Sequence, residues 1–212
     1  MPQSININDK DFERAGKLLE LAGIKYSTTQ SFKTGKEEMN GFIYIPSIKL
    51  WIAKEKKFYN NNWFESKEKL QENGERMITL PEFIEFLKYS KTNLPNVYKE
   101  ITELRSPWRA EWIDADFKVK NNKLCINSEI LDKNTLMEDR QISLEDYLNN
   151  NHTSQGLPSK KVKSGNLYYW YPRSDNNSVA SFFALSVRAD LNCNWGSSYG
   201  DSDLGVRAVR HE

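Results

Sequence analysis

From Ser164 to His211 the chain contains no Lys, Glu, Gln or Met, although Lys and Glu are among its commonest residues before that point. Short apolar runs fill the stretch: Leu167–Tyr171, Val179–Leu185, Val187–Cys193 and Leu204–Val209, separated by Asn, Ser, Asp and Gly. Runs of that length between turn residues read as strands. Turn chemistry accounts for the Asn, Ser and Gly. It does not account for the complete loss of Lys and Glu from a surface segment of a Lys-rich protein.

Upstream, the pattern alternates between helices and short strands. Asn8 or Asp9 caps a first helix with Phe12, Ala15, Leu18, Leu19 and Ala22 on one face and Gly23 as its stop. Gly41–Ile45 and Ile48–Ile52 read as strands around Pro46, with Lys57–Tyr59 as a third. Trp63–Gly74 reads as a second helix. Thr79-Leu80-Pro81-Glu82 is a helix start, with Thr79 as cap and Glu82 reaching back, and Phe83, Phe86 and Leu87 form the buried stripe. Pro95 opens a short helix through Leu104. Ala110–Val119 and Lys123–Asn127 form a hairpin around Asn121-Asn122, and Ser143 caps a helix through Leu148. With no internal repeat and no linker, residues 1–212 read as a single α+β domain of short strands and peripheral helices.

Bulk properties remove several classes of function. A length of 212 residues suffices for a proper core, and an aromatic content of 12% with six Trp argues for a folded chain. The formal charge of +1 supplies no global field for nucleic acid or anionic membranes. No run approaches the ~20 apolar residues of a membrane span, and the N-terminus lacks a signal-peptide pattern, so a soluble protein is expected. Cys125 and Cys193 leave one disulfide arithmetically open, but there is no zinc spacing. His152 and His211 read as surface residues.

The missing residue types match a genetic scheme. Randomising both adenines of an Asn codon that ends in a pyrimidine yields a set that includes Asn, Ser, Asp, Tyr, Gly, Val, Leu and Arg, and never Lys, Glu, Gln, Met or Trp. Ser181–Asp203 is built almost wholly from the permitted set, with Trp195 as the exception. Period two sorts the stretch further, because alternate strand residues share a face. Phe182, Phe183, Ala184, Ser186, Arg188, Ala189, Leu191 and Cys193 read as fixed. Ser181, Leu185, Val187, Asp190, Asn192 and Asn194 read as variable, followed by Trp195, Ser197, Tyr199, Asp201 and Asp203.

Asp203-Leu204-Gly205-Val206-Arg207-Ala208-Val209-Arg210 resembles the closing motif of C-type-lectin-fold domains of the formylglycine-generating-enzyme type. That family typically ends in a Gly–aromatic–Arg strand, and Val206 departs from it at the aromatic place. The resemblance implies close backbone approach at Gly205 and buried acceptors for Arg207. Asn73–Phe83 is similar to the family's capped-helix segment, and Asn177–Phe183 followed by Arg188 to the strand and loop before the ending. Within that fold, the composition of Ser181–Asp203 resembles the variable proteins of diversity-generating retroelements, in which a reverse transcriptase mutates adenine positions near the 3′ end of a target gene. The resemblance implies a ligand-binding surface at about 181–203, locked by a closing strand at 204–210. Phe182, Phe183, Arg188, Gly205 and Arg207 would be its scaffold. The ligands implied are variable proteins or other macromolecules on a cell or particle surface. No cofactor, metal, nucleic acid or membrane insertion is expected.

Two rivals stand beside this reading. A formylglycine-generating-enzyme-like copper oxidase needs a close cysteine pair in the C-terminal part, where only Cys193 lies. An invariant viral structural protein would show no variation between copies. Asp114 and Asp116, at spacing two, read as a solvated pair. A calcium site from Asp201, Asp203, Asn192 and Asn194 lacks the usual lectin tripeptides, and Lys160-Lys161-Val162-Lys163 reads as a solvated loop.

Overall fold

The computed structural model describes residues 38–39, 41–174 and 177–211. All of them belong to one compact unit, Lys36–Glu212. The helix expected between Asn8 and Gly23 lies outside the described residues. The unit opens with β1 (Glu38–Met39), β2 (Phe42–Ile45) and β3 (Leu50–Ala53). β2 and β3 pair antiparallel across the Pro46 turn, with Phe42 opposite Ala53 and Ile45 opposite Leu50. The third strand expected at Lys57–Tyr59 is reduced to one bridge, from Lys57 to Val206. Phe58 and Asn60 have φ of 54° and 59°, left-handed backbone that a strand cannot continue through.

Local capping chemistry sets the helices. Helix α1 (Trp63–Glu72) starts at a reciprocal cap: Glu65 N–H donates to Asn62 Oδ1 (3.0 Å) and Asn62 N–H to Glu65 Oε2 (2.9 Å). Gly74, at φ 67°, follows its end. After β4 (Arg76–Met77), helix α2 (Leu80–Asn93) begins where Glu82 accepts from the Thr79 amide at 3.0 Å. Arg76 grips the same carboxylate through two nitrogens, at 2.7 and 2.6 Å. Phe83, Ile84, Phe86 and Leu87 are buried, as the stripe predicts. Helix α3 (Pro95–Thr102) follows at once and stops short of the expected Leu104.

A long strand then organises the rest. β5 (Arg109–Lys120) turns into β6 (Lys123–Ile126) through Asn121 and Asn122, at φ 51° and 58°. Positive φ at both turn residues matches the twist of an antiparallel pair, and asparagine accepts it. β7 (Glu129–Ile130), β8 (Arg140–Ile142), helix α4 (Leu144–Asn149) and β9 (Leu167–Trp170) lead to the Lys-free segment. There β10 (Ser178–Ala184), β11 (Ala189–Trp195), β12 (Leu204–Val206) and β13 (Ala208–His211) follow. The large sheet has the order β7-β6-β5-β10-β11-β9-β8, with β12 parallel to the start of β5. The small sheet runs β1-β2-β3-β13-β4. The described fold is α+β, mostly strand.

The expected single closing strand at 204–210 is in fact two. β12 belongs to the large sheet and β13 to the small one, and the chain crosses between them at Arg207. The large sheet is covered on both faces. Phe182 packs into one apolar cluster with Phe83, Phe86, Leu191 and Cys193. Its neighbour Phe183 packs into a second cluster, with Trp63, Trp112, Leu204 and Val206. β10, flanked by β5 and β11, is therefore buried at every position.

Candidate ligand-binding surface

Two of the positions read as variable are interior. Ser181 is 1% exposed on the central strand, in register between Trp112 of β5 and Asn192 of β11. Asp190 is 0% exposed. Trp170 Nε1 donates to its Oδ2 at 2.9 Å, and Arg188 Nε lies 3.0 Å from its Oδ1. The Arg188 guanidinium lies over the rings of Tyr168 (4.5 Å) and Trp170 (5.5 Å), closing this face of the sheet above Asp190. Burial raises the Asp190 carboxyl above its ordinary range, against the opposing pull of Trp170 and Arg188. Ser181 and Asp190 are thus packed residues. Period two groups Asp190 with Asn192, but a bulge in the β10–β11 pairing, from Ser181 opposite Asn192 to Val179 opposite Trp195, breaks the alternation before Asn194.

The open positions lie toward both ends of the β10–β11 hairpin, at the 185–188 turn and from Asn192 onward. The 185–188 turn puts Val187 76% in solvent. Its backbone is held by Leu185 N–H to Arg188 O (2.8 Å) and by Arg105 N–H to Leu185 O (3.0 Å). Asn192 and Asn194 are partly exposed, and Asn192 Oδ1 accepts from the Asn194 amide at 2.7 Å. Beyond β11, the 196–203 loop is suspended from the rest of the protein by its main chain. Trp63 N–H donates to Ser197 O (3.2 Å), Asn60 N–H to Asp201 O (3.0 Å) and Ala110 N–H to Asp203 O (3.0 Å). The Lys56 ammonium adds a bond to Asp203 O at 3.2 Å. Side chains take part in the loop's own fold around Asp201, whose carboxylate accepts from the Asp203 amide (2.9 Å) and from the Tyr199 and Ser202 hydroxyls (3.4 and 3.5 Å).

Aromatic rings floor this surface. Trp195 is partly exposed and lies edge-on to Phe183 (5.0 Å, 82°) and Trp112 (6.3 Å, 89°). It runs parallel to Trp108 (6.5 Å, 7°), and Tyr199, itself 41% exposed, leans on it at 5.3 Å. Such spacings are those of favourable ring pairs. Trp112 is fully buried, and its Nε1 donates to Asn61 O at 3.1 Å, fixing the segment that carries the Asn60 amide. Trp108 lies outside the Lys-free stretch and was not among the predicted site residues.

Beneath the surface lies a buried ionic knot. Arg207, 0% exposed, donates from Nε to Glu111 Oε2 (2.8 Å) and from Nη1 to the carbonyls of Ala53 (2.8 Å) and Lys54. Arg109 Nη2 bonds the other Glu111 oxygen at 3.0 Å, and its Nε reaches Glu100 Oε1 at 2.9 Å. Burial by itself would raise the Glu111 carboxyl, but the charges of Arg109 and Arg207 outweigh it and hold the pKa at about 2. At Gly205, a Cβ would meet Lys56 Cβ, Lys57 O and Tyr59 Cε1 at 3.1 Å each. Buried acceptors for Arg207 and close approach at Gly205 are both as expected. Glu111 and Arg109 were missed, because an Arg-Ala-Glu alternation opening a strand reads as a solvated face.

The chain matches no protein-family model and no curated protein. The remaining candidates fall into ordinary structural places. Cys125 and Cys193 are both free and buried, and burial pushes the Cys193 thiol far up. Asp114 pairs with Lys67 at 2.8 Å and Asp116 with Lys118 at 2.6 Å. His211 is exposed and accepts from Arg76 at 3.2 Å. Among the described residues no helix is long and apolar enough to cross a membrane, and no three His, Cys, Asp or Glu converge as metal ligands.

Proposed function

We propose that this protein is a non-enzymatic ligand-binding display protein of C-type lectin fold, with a C-terminal surface diversified by adenine-directed retroelement mutagenesis. One observation carries the reading. The 196–203 loop hangs on hydrogen bonds from the amides of Asn60, Trp63 and Ala110, all outside the Lys-free stretch, to the carbonyls of Ser197, Asp201 and Asp203. Main-chain carbonyls are the same whatever side chains they carry, so the loop keeps its anchors when the side chains at 197, 199 and 201 change. Such an arrangement suits a surface that must vary without unfolding.

The contacts of Gly205 and Arg207 support the lectin-fold reading, since both match what the closing motif implies. The surface consists of Leu185, Val187, Asn192, Asn194, Trp195, Ser197, Tyr199, Asp201 and Asp203. Its mixture of aromatic, Asn, Ser and Asp side chains gives amphipathic area and adaptable hydrogen bonding, which suits macromolecular ligands. The test is the DNA beside the gene. A near-copy of the 3′ coding segment next to a reverse-transcriptase gene is expected. It should differ at adenines in the codons of Leu185, Val187, Asn192, Asn194, Ser197 and Tyr199, and agree at Phe182, Phe183, Leu191 and Cys193. Absence of both copy and reverse transcriptase removes the reading.

A further inference from the structure

Trp195 stands apart from its neighbours in chemistry and in position. Tryptophan has a single codon, TGG, which an Asn codon ending in a pyrimidine cannot yield, so Trp195 falls outside the scheme that fits its neighbours. In the fold it is also the ring on which the others meet: Trp108, Trp112, Phe183 and Tyr199 all contact it. Three of these lie outside the positions that vary in the proposed function. We infer, on the basis of that function, that Trp195 is a permanent residue of the binding surface. With Trp108 it forms a constant aromatic floor, on which every variant seats an apolar side chain of a protein ligand, while the residues around it vary.

The geometry gives the floor its own supports. Trp112, fully buried and tied to Asn61 O, backs Trp195 from below, and Phe183 backs both Trp195 and Trp108 edge-on (5.0 and 6.2 Å). Each partly exposed indole thus has aromatic supports outside the variable positions, and Trp195 also touches the variable Tyr199. Tyr199, which leans on Trp195, Leu185, which packs against the same cluster, and the neighbouring Asn194 begin the rim. An aromatic centre within a changeable polar rim has the anatomy of a protein–protein hot spot, where Trp dominates and its surroundings exclude water. The charges on this side, exposed Arg105 and partly buried Arg188 and Asp201, are of both signs, which suits a protein surface better than a polyanion.

The test has two parts on the full chain. First, the 3′ coding segment is sequenced from many natural copies. The codons of Trp195 and Trp108 should stay constant while those of Val187, Asn194, Ser197 and Tyr199 vary. Second, a displayed library randomised at Leu185, Val187, Asn194, Ser197 and Tyr199 is selected against egg-white lysozyme as the protein probe. In the selected binders, Trp108→Ala should weaken Kd by about 30-fold in protein that circular dichroism shows to be still folded at the assay temperature, and Trp108→Phe should restore most of the affinity. Variation of the Trp195 codon alongside its neighbours overturns the inference and leaves the display function standing. So does a Trp108→Ala panel with Kd within about three-fold of the parents. No rim variation in nature, or no binder from the library, overturns the display function and this inference with it.

Discussion

Replacing Glu111 by Gln should convert a balanced buried cluster into one with excess positive charge. Glu111 is 0% exposed and answers two guanidinium groups, Arg207 at 2.8 Å and Arg109 at 3.0 Å. The amide keeps the shape but removes the charge, leaving Arg207 buried with only the distant Glu100 carboxylate at 3.9 Å. Its pKa of about 2, against an ordinary 4.5, corresponds to about 3 kcal/mol of preference for the ionised form in the folded protein. Breaking a buried pair from one side costs about 3–5 kcal/mol in other proteins, so the two figures agree. For a domain of this size that lowers the thermal midpoint by about 10 °C at pH 7. The carboxyl's folded pKa is depressed, so its contribution is complete above about pH 4.5 and is lost as pH falls toward 2. Melting by circular dichroism at intervals from pH 7 to 2 should therefore show the wild-type and Glu111→Gln curves converging in acid. A gap of less than about 1 kcal/mol at pH 7, or one that does not narrow below pH 4.5, would refute the assignment of Glu111 as the pivot.

Three further outcomes follow from the same structure. Gly205→Ala should cost about 1–3 kcal/mol by overpacking, because one of the three atoms at 3.1 Å is the Lys57 carbonyl, held by the Val206 amide; chemical denaturation measures it. Val187→Asp, at a position 76% exposed, should shift stability by no more than about 0.5 kcal/mol, as the same assay will register. Cys125 and Cys193 should resist a thiol reagent in the native protein and react together on unfolding, and rapid native labelling of either would contradict their burial.

The parts of the fold legible in the sequence are those governed by local chemistry. Asn121-Asn122 declares a tight turn because few residues accept positive φ twice running. Thr79 to Glu82 declares a helix start because the groups that satisfy the first amides lie within four residues of one another. Period two was equally sound in placing Asp190 and Asn192 on one face, but it does not foresee the bulge that sets Trp195 opposite Val179. What alternation does not contain is which part of a face another segment covers, and Trp170 of β9, together with the nearby Arg188, covers Asp190. Ser181 failed for a related reason, since its strand proved central and has no open side. Arg109 and Glu111 were missed because a buried charge differs from a solvated one only through partners distant in sequence, here Glu100 and Arg207. The break at Arg207 was hidden by an apolar run that continues smoothly from one sheet into the other.

The claim on which the account rests is that the 196–203 loop keeps its anchors to the rest of the protein through its main chain when its side chains change. Amide hydrogen exchange of Asn60 and Trp63, the donors to Asp201 O and Ser197 O, tests it most directly. It should be measured in the wild-type protein and in a variant carrying Val187→Asp, Asn194→Tyr, Ser197→Asp and Tyr199→Asn together. The account predicts that both amides keep their protection in the variant. Loss of protection at Asn60 and Trp63, with the rest of the fold still protected, would show that the loop depends on the side chains it is proposed to vary.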